Sequence, residues 1–129
     1  MKPATYGPVF VRMADDGALR FGVGSGAIDQ LHPPSEKPAE TLLAAIGSCM
    51  VLSIGIVAGR DNFHPGAFHV EVRATKAAEP PSHFGAYEIR VSEGLAEDPD
   101  LRADIAKRAK SICTISNSVN GDIVLLTTP

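Results

Sequence analysis

The chain has 129 residues, with 12 Lys and Arg against 15 Asp and Glu, a formal net charge of -3 and both signs interspersed. It therefore lacks the basic stripe that tracks a phosphate backbone, and the absence of Trp, with aromatic residues at 5%, argues against a surface for stacking nucleic-acid bases. A 44% hydrophobic share suits one domain, residues 1–129, with its core built from Leu, Ile, Val, Ala and Phe.

The chain opens with an expected β-hairpin. Tyr6 to Met13 is apolar and β-branched, Asp15-Asp16-Gly17 is a turn signal, and Leu19 to Val23 pairs back. Gly22, Gly24 and Gly26 then crowd into a loop. They form no dinucleotide-binding fingerprint, because no βαβ pattern surrounds them. His32 to Pro38 is a proline-rich connection, and Pro38 suits the first position of a helix that starts after Ser35 or Lys37. That helix is expected to run to about Ala58, with Glu40 in its first turn and Gly59 at its stop. Leu42, Leu43, Ile46, Met50, Val51, Ile54 and Val57 place apolar side chains around nearly its whole girth, so it is read as buried in a core or between subunits.

Phe68 to Ala74 alternates cleanly between apolar and polar residues, and Phe84 to Val91 reads as its antiparallel partner. Asp98 is placed as the N-cap of a second helix, with Pro99 in its first turn. Leu101, Ile105, Ala109 and Ile112 mark the apolar stripe, while Arg102, Lys107, Arg108 and Lys110 are read as a solvated face. A short helical turn over Ile115 to Val119 follows, capped by Ser116, and Ile123 to Leu126 is a closing strand expected to be buried on both faces. The order ββ-α-ββ-α-β is an α+β pattern.

Chemistry concentrates on Cys49 and Cys113. The opening residues lack the apolar core of a signal peptide, so a cytoplasmic location and free or reactive thiols are expected rather than a structural disulfide. No window gives the roughly 18 uninterrupted apolar residues of a membrane span; Leu42 to Ala58 comes closest. Taken alone, Cys49 in mid-helix is more often a small buried hydrophobe than a nucleophile. Cys113 lies near a helix end, beside Ser116, Asn117 and Ser118, where a thiolate finds polar support. The separation excludes a CxxC pair. His32, His64, His69 and His83 are scattered and given no catalytic role, and no metal cluster is read.

PAETLLAAIGSC, Pro38 to Cys49, resembles the signature helix of the OsmC/Ohr family of organic-hydroperoxide reductases and related redox proteins. SICTISNSV, Ser111 to Val119, resembles that family's second cysteine motif, and the resemblance covers roughly residues 6 to 128. It implies an OsmC-like fold, with antiparallel sheets around a long buried central helix in an intertwined homodimer whose active sites form at the subunit interface. It implies that Cys49 is the peroxidatic thiol and Cys113 the resolving thiol. The implied substrate is an organic hydroperoxide and the implied reductant an external, lipoyl-type dithiol, with no bound cofactor, nucleic acid or membrane.

Three departures stand out. Thr114 occupies the place of the family's usual proline. Glu40 follows Ala39, the position that is often acidic in the peroxidase branches, and nine residues of straight helix put Glu40 on the face opposite Cys49, about 13 Å away. Arg12 and Arg20 are the candidates for the family's thiolate-supporting arginine, and neither has the usual glycine-rich context. The alternative is a non-enzymatic OsmC-like protein that binds a small molecule or senses redox state.

Overall fold

The fold is that of a computed structural model describing residues 4–128. Five strands form one sheet in the order β2-β1-β3-β4-β5: β1 (Thr5–Met13), β2 (Leu19–Val23), β3 (His69–Lys76), β4 (Phe84–Val91) and β5 (Asp122–Thr127). The first hairpin closes as expected, Met13 opposite Leu19. The second pairs Val70 with Val91 and Ala74 with Tyr87. β1 runs antiparallel to β3, whereas β5 lies parallel to β4, so the sheet is mixed and not wholly antiparallel. The parallel pairing follows from the crossover between them, because a helical connection returns the chain in the same direction.

Alternation decides which face is covered. Val9, Val11, Val70, Val72, Ala74, Tyr87, Ile89 and Val91 are buried on the inner face. Arg12, His69, Glu71, Arg73, Glu88 and Arg90 take the other parity and stand on the outer face. β5 departs from its expected burial on both faces: it is an edge strand, and Val124 is 50% exposed.

Helix α1 (Pro38–Arg60) lies on the inner face against β1 and β3. Lys37 is its N-cap residue, without a side-chain capping bond, and Pro38 takes the first turn. Close packing centres on Gly47, where a Cβ would stand 2.8 Å from Val11 Cγ2 and 3.3 Å from Val72 Cγ2. By length and composition alone α1 could cross a bilayer. Here that hydrophobicity packs a core: Leu43, Ile46, Met50 and Ile54 are fully buried. The burial does not extend around the whole girth, since Leu52 and Ile56 are 48% and 50% exposed.

Helix α2 (Pro99–Ile112) packs on α1 and starts as the sequence indicates, Asp98 accepting from the Asp100 N–H at 2.9 Å. Its buried stripe is Arg102, Ile105, Ala106 and Ala109, continued by Cys113. Arg102, expected on the solvated face, is buried; its guanidinium donates to the carbonyls of Ala96 at 2.6 Å and Glu93 at 3.3 Å, at the end of a 3-10 turn, Glu93–Leu95. Helix α3 (Thr114–Ser118) begins two residues before the expected cap, so Cys113 and not Ser116 is its N-cap.

Candidate active site

Gly47 faces the sheet, and Cys49 follows two residues later. At about 100° per residue that rotates Cys49 to the far side of α1, away from the sheet and toward α2 and α3. Cys49 is half-buried. The neighbouring Ser48 hydroxyl turns back on its own helix, donating to the Ala44 carbonyl at 2.7 Å.

Cys113 arrives from the other side. It ends the buried stripe of α2 and occupies the single extended residue between α2 and α3, with φ -78° and ψ 94°. Its side chain is fully buried in the core cluster against which Cys49 packs, and Cys49 is near enough to add to the rise in its pKa. Both cysteines are free thiols. The fold thus brings together two sulfurs that are 64 positions apart in the sequence.

Burial pushes the Cys113 thiol above the ordinary cysteine range. The Ser116 hydroxyl and Ser116 N–H oppose that shift by favouring the thiolate, and the adjoining Cys49 reinforces it. In the resting geometry the Ser116 hydroxyl lies 3.2 Å from the Cys113 carbonyl oxygen, to which it donates, and the Cys113 thiol makes no capping hydrogen bond. A hydroxyl has one proton, so turning it from carbonyl to sulfur would support a thiolate only when one forms. The site therefore pairs a partly exposed thiol with a buried one whose protonated form is favoured by burial.

The other sequence candidates lie elsewhere. Arg12 and Arg20 stand opposite each other in the β1–β2 register, on the outer face, while the neighbouring pair Val11 and Phe21 is buried inside. Arg12 Nε donates to the Ile28 carbonyl at 2.6 Å, fastening the loop after β2. Arg20 donates to Asp16 at 2.6 Å and to its neighbour's carbonyl, Leu19, at 3.1 Å. Within the protomer neither arginine is brought to Cys49. Glu40 lies in the first turn of α1 and lines a separate open cavity of about 810 Å³, walled by residues 29–37.

From the sequence, Ser116 is expected as a helix cap and Asn117 only as a polar neighbour of Cys113. Their side chains in fact bind the backbone around it, Ser116 at the Cys113 carbonyl and Asn117 at the Ser111 carbonyl, 3.1 Å away. The signal was the run of small polar residues directly after the cysteine. Among the described residues no group of three or more His, Cys, Asp or Glu side chains is placed to hold a metal ion.

Comparison with known proteins agrees with this architecture. Residues 34–127 match the family model described as OsmC-like protein. No curated protein matches the chain significantly. Among solved structures, an organic hydroperoxide resistance protein OsmC from Legionella pneumophila superposes with a TM-score of 0.63 at 13% identity, covering 96% of this chain and 97% of that one. The organic hydroperoxide resistance protein OhrB of Bacillus subtilis gives 0.63 at 15% identity over 95% and 98%. An OsmC-like protein from Mycoplasma pneumoniae gives 0.63 at 11% identity over 99% and 96%. At such identities the likeness is one of fold, whereas the family match spans both cysteines and most of the chain: the protein belongs to the OsmC/Ohr family of organic-hydroperoxide-resistance and redox proteins.

Proposed function

We propose that the chain is a thiol peroxidase that reduces organic hydroperoxides to alcohols. The observation that carries this reading is the packing of α1 on α2 and α3, which sets the partly exposed Cys49 beside the core cluster that holds the buried Cys113. A solute meets Cys49 first, which makes Cys49 the attacking thiol. Its thiolate forms an S–O bond to the distal peroxide oxygen as the O–O bond breaks, and the alkoxide leaves as alcohol with a proton. Cys49 is then a sulfenic acid. The Cys113 thiol condenses with it, forming the disulfide and releasing water. An external dithiol, such as a lipoyl-type compound, restores both thiols by two exchanges and is itself oxidised to its disulfide.

Burial of Cys113 fits the second role. A protonated, shielded thiol does not compete for peroxide, yet it stands beside the sulfenic acid when one appears. Leu52 on α1 and Ile112 and Ile115 around Cys113 are exposed apolar neighbours of the two motifs, and they favour an alkyl peroxide over hydrogen peroxide. A homodimer through the open face of α1 belongs to the same proposal. The test is stopped-flow oxidation of the reduced protein by cumene hydroperoxide and by hydrogen peroxide. Faster oxidation of Cys49 than of a free thiol, with the organic peroxide preferred, is expected; oxidation of both peroxides at free-thiol rates would sink the reading.

A further inference from the structure

The backbone at Cys113 breaks the helical path where the buried thiol approaches Cys49. A single extended residue separates two helical segments, and Thr114, an ordinary residue, follows it. Were α2 to continue through Cys113, each further helical residue would turn by about 100°, and the thiol would leave its place beside Cys49. Some interaction must hold the break.

The side chain of Asn117 spans it. From α3, Asn117 Nδ2 donates to the Ser111 carbonyl at 3.1 Å, and Asn117 Oδ1 accepts from Lys110 Nζ at 2.5 Å. Both partners sit in the last turn of α2. Backbone bonds complete the ring: Cys113 N–H to the Lys110 carbonyl at 3.2 Å, and Asn117 N–H to the Cys113 carbonyl at 3.0 Å. One amide thus uses a donor and an acceptor to tie the two helices across Cys113, and one of its two bonds is charge-assisted.

We propose that Asn117, held by Lys110, is a positioning residue that fixes the Cys113 thiol against Cys49. This rests on the reading of Cys113 as the resolving thiol. With the clamp closed, Cys113 is buried and aligned for condensation. With it open, the break is free to drift toward continuous helix, and the thiol is delivered less often.

The same geometry supplies a rescue. Cys113 already lies in the extended region, φ -78° and ψ 94°, outside the helical region that a following proline disfavours. Thr114 is exposed, stands at the first position of α3, and its N–H donates to no backbone carbonyl. A proline at 114 therefore removes no bond, suits its position, and forbids the helical continuation by covalent means.

The experiment compares wild type, Asn117→Ala and Asn117→Ala/Thr114→Pro. The first readout is alkylation of each cysteine in native, reduced protein by iodoacetamide, followed by mass spectrometry; it needs no peroxide. Asn117→Ala is expected to raise the Cys113 rate by about tenfold, the equivalent of a charge-assisted hydrogen bond, while leaving the Cys49 rate unchanged; Thr114→Pro is expected to reverse the rise. The second readout is the reaction with one equivalent of cumene hydroperoxide. Asn117→Ala is expected to form Cys49 sulfenic acid at the wild-type rate, close the disulfide about tenfold more slowly, and recover with Thr114→Pro. If Asn117→Ala does not fold, Asn117→Asp, which keeps an acceptor for Lys110 and loses the donor to Ser111, replaces it with the same expectation. Unchanged Cys113 alkylation, or a rise that Thr114→Pro leaves in place, overturns the clamp whatever the peroxide does. Wild-type protein that fails to react with peroxide overturns the peroxidase reading instead, and the alkylation result still decides the clamp.

Discussion

His69 shows how a single side chain acquires a pH dependence from its place in the sheet. It stands on the outer face, half-buried, with the Phe10 ring edge-on at 5.6 Å. Arg12 is its cross-strand partner, and Glu71 lies two residues along the same face. Burial pushes its pKa below the usual histidine value, and Glu71 opposes the shift. The unfolded chain therefore binds the proton more tightly than the fold does. Stability is fully present above about pH 6.5, the ordinary value, and is lost as pH falls through that value toward the lower folded one. His69→Gln is expected to flatten the fall in melting temperature between about pH 7 and pH 5. Thermal melts across that range check it, and an unchanged slope would assign the acid sensitivity elsewhere. Gly47 makes a different residue-scale demand. An alanine Cβ there meets Val11 at 2.8 Å, and Val11 is itself fully buried, so neither side has room to give. Gly47→Ala is expected to cost about 1–3 kcal/mol by overpacking, despite its better helix propensity, as a denaturant titration would show.

At the scale of elements, α2 marks the boundary of what periodicity reveals. The length, cap and first turn of the helix were readable from Asp98 and Pro99, as were both hairpins from their alternation. The buried stripe was read correctly in the middle and misread at its ends. Ile105 and Ala109 were read correctly, but Leu101 is only partly buried and Ile112 is 36% exposed, and the stripe is completed by Arg102, Ala106 and Cys113. A pattern that counts charged residues as solvent-facing cannot locate a buried arginine, whose reason for burial lies in the carbonyls of a turn outside the helix. For the same reason the closing strand was misjudged: ILE-type runs report hydrophobicity, not the number of neighbours, and β5 has only β4 beside it. In the site, both cysteines were legible from the motifs, but the sheet face taken by Arg12 and Arg20 depends on register. Arg102 yields the prediction here. Arg102→Met keeps most of the volume and strands the Ala96 and Glu93 carbonyls. It is expected to destabilise by about 1–3 kcal/mol in a denaturant titration. No change would mean that water replaces the guanidinium without cost.

For the whole molecule, the open face of α1 decides how the protomer exists in solution. Ala45, Cys49, Leu52 and Ile56 recur at spacings of four, three and four residues, the stripe of a helix that packs along its length against another helix. Leu52 and Ile56 are about half exposed, and a Cβ at Gly55 or Gly59 would meet nothing within 4 Å in the protomer. An apolar stripe lined with small residues suits close approach by a second copy, and a two-fold pairing would set α1 against α1 along Leu52 and Ile56. Gly55→Ala tests this by the sign of its effect. On a helix face open to water, replacing glycine with alanine stabilises by about 0.5–1 kcal/mol. On a face closed by a partner helix, the added methyl forces the helices apart. The expected outcome is a lower melting temperature that recovers at higher protein concentration, because the loss falls on association. Sedimentation velocity is expected to show dimers for the wild type and protomers for Leu52→Glu/Ile56→Glu. A concentration-independent rise in the melting temperature of Gly55→Ala would instead mean that water, and not a second α1, covers this face.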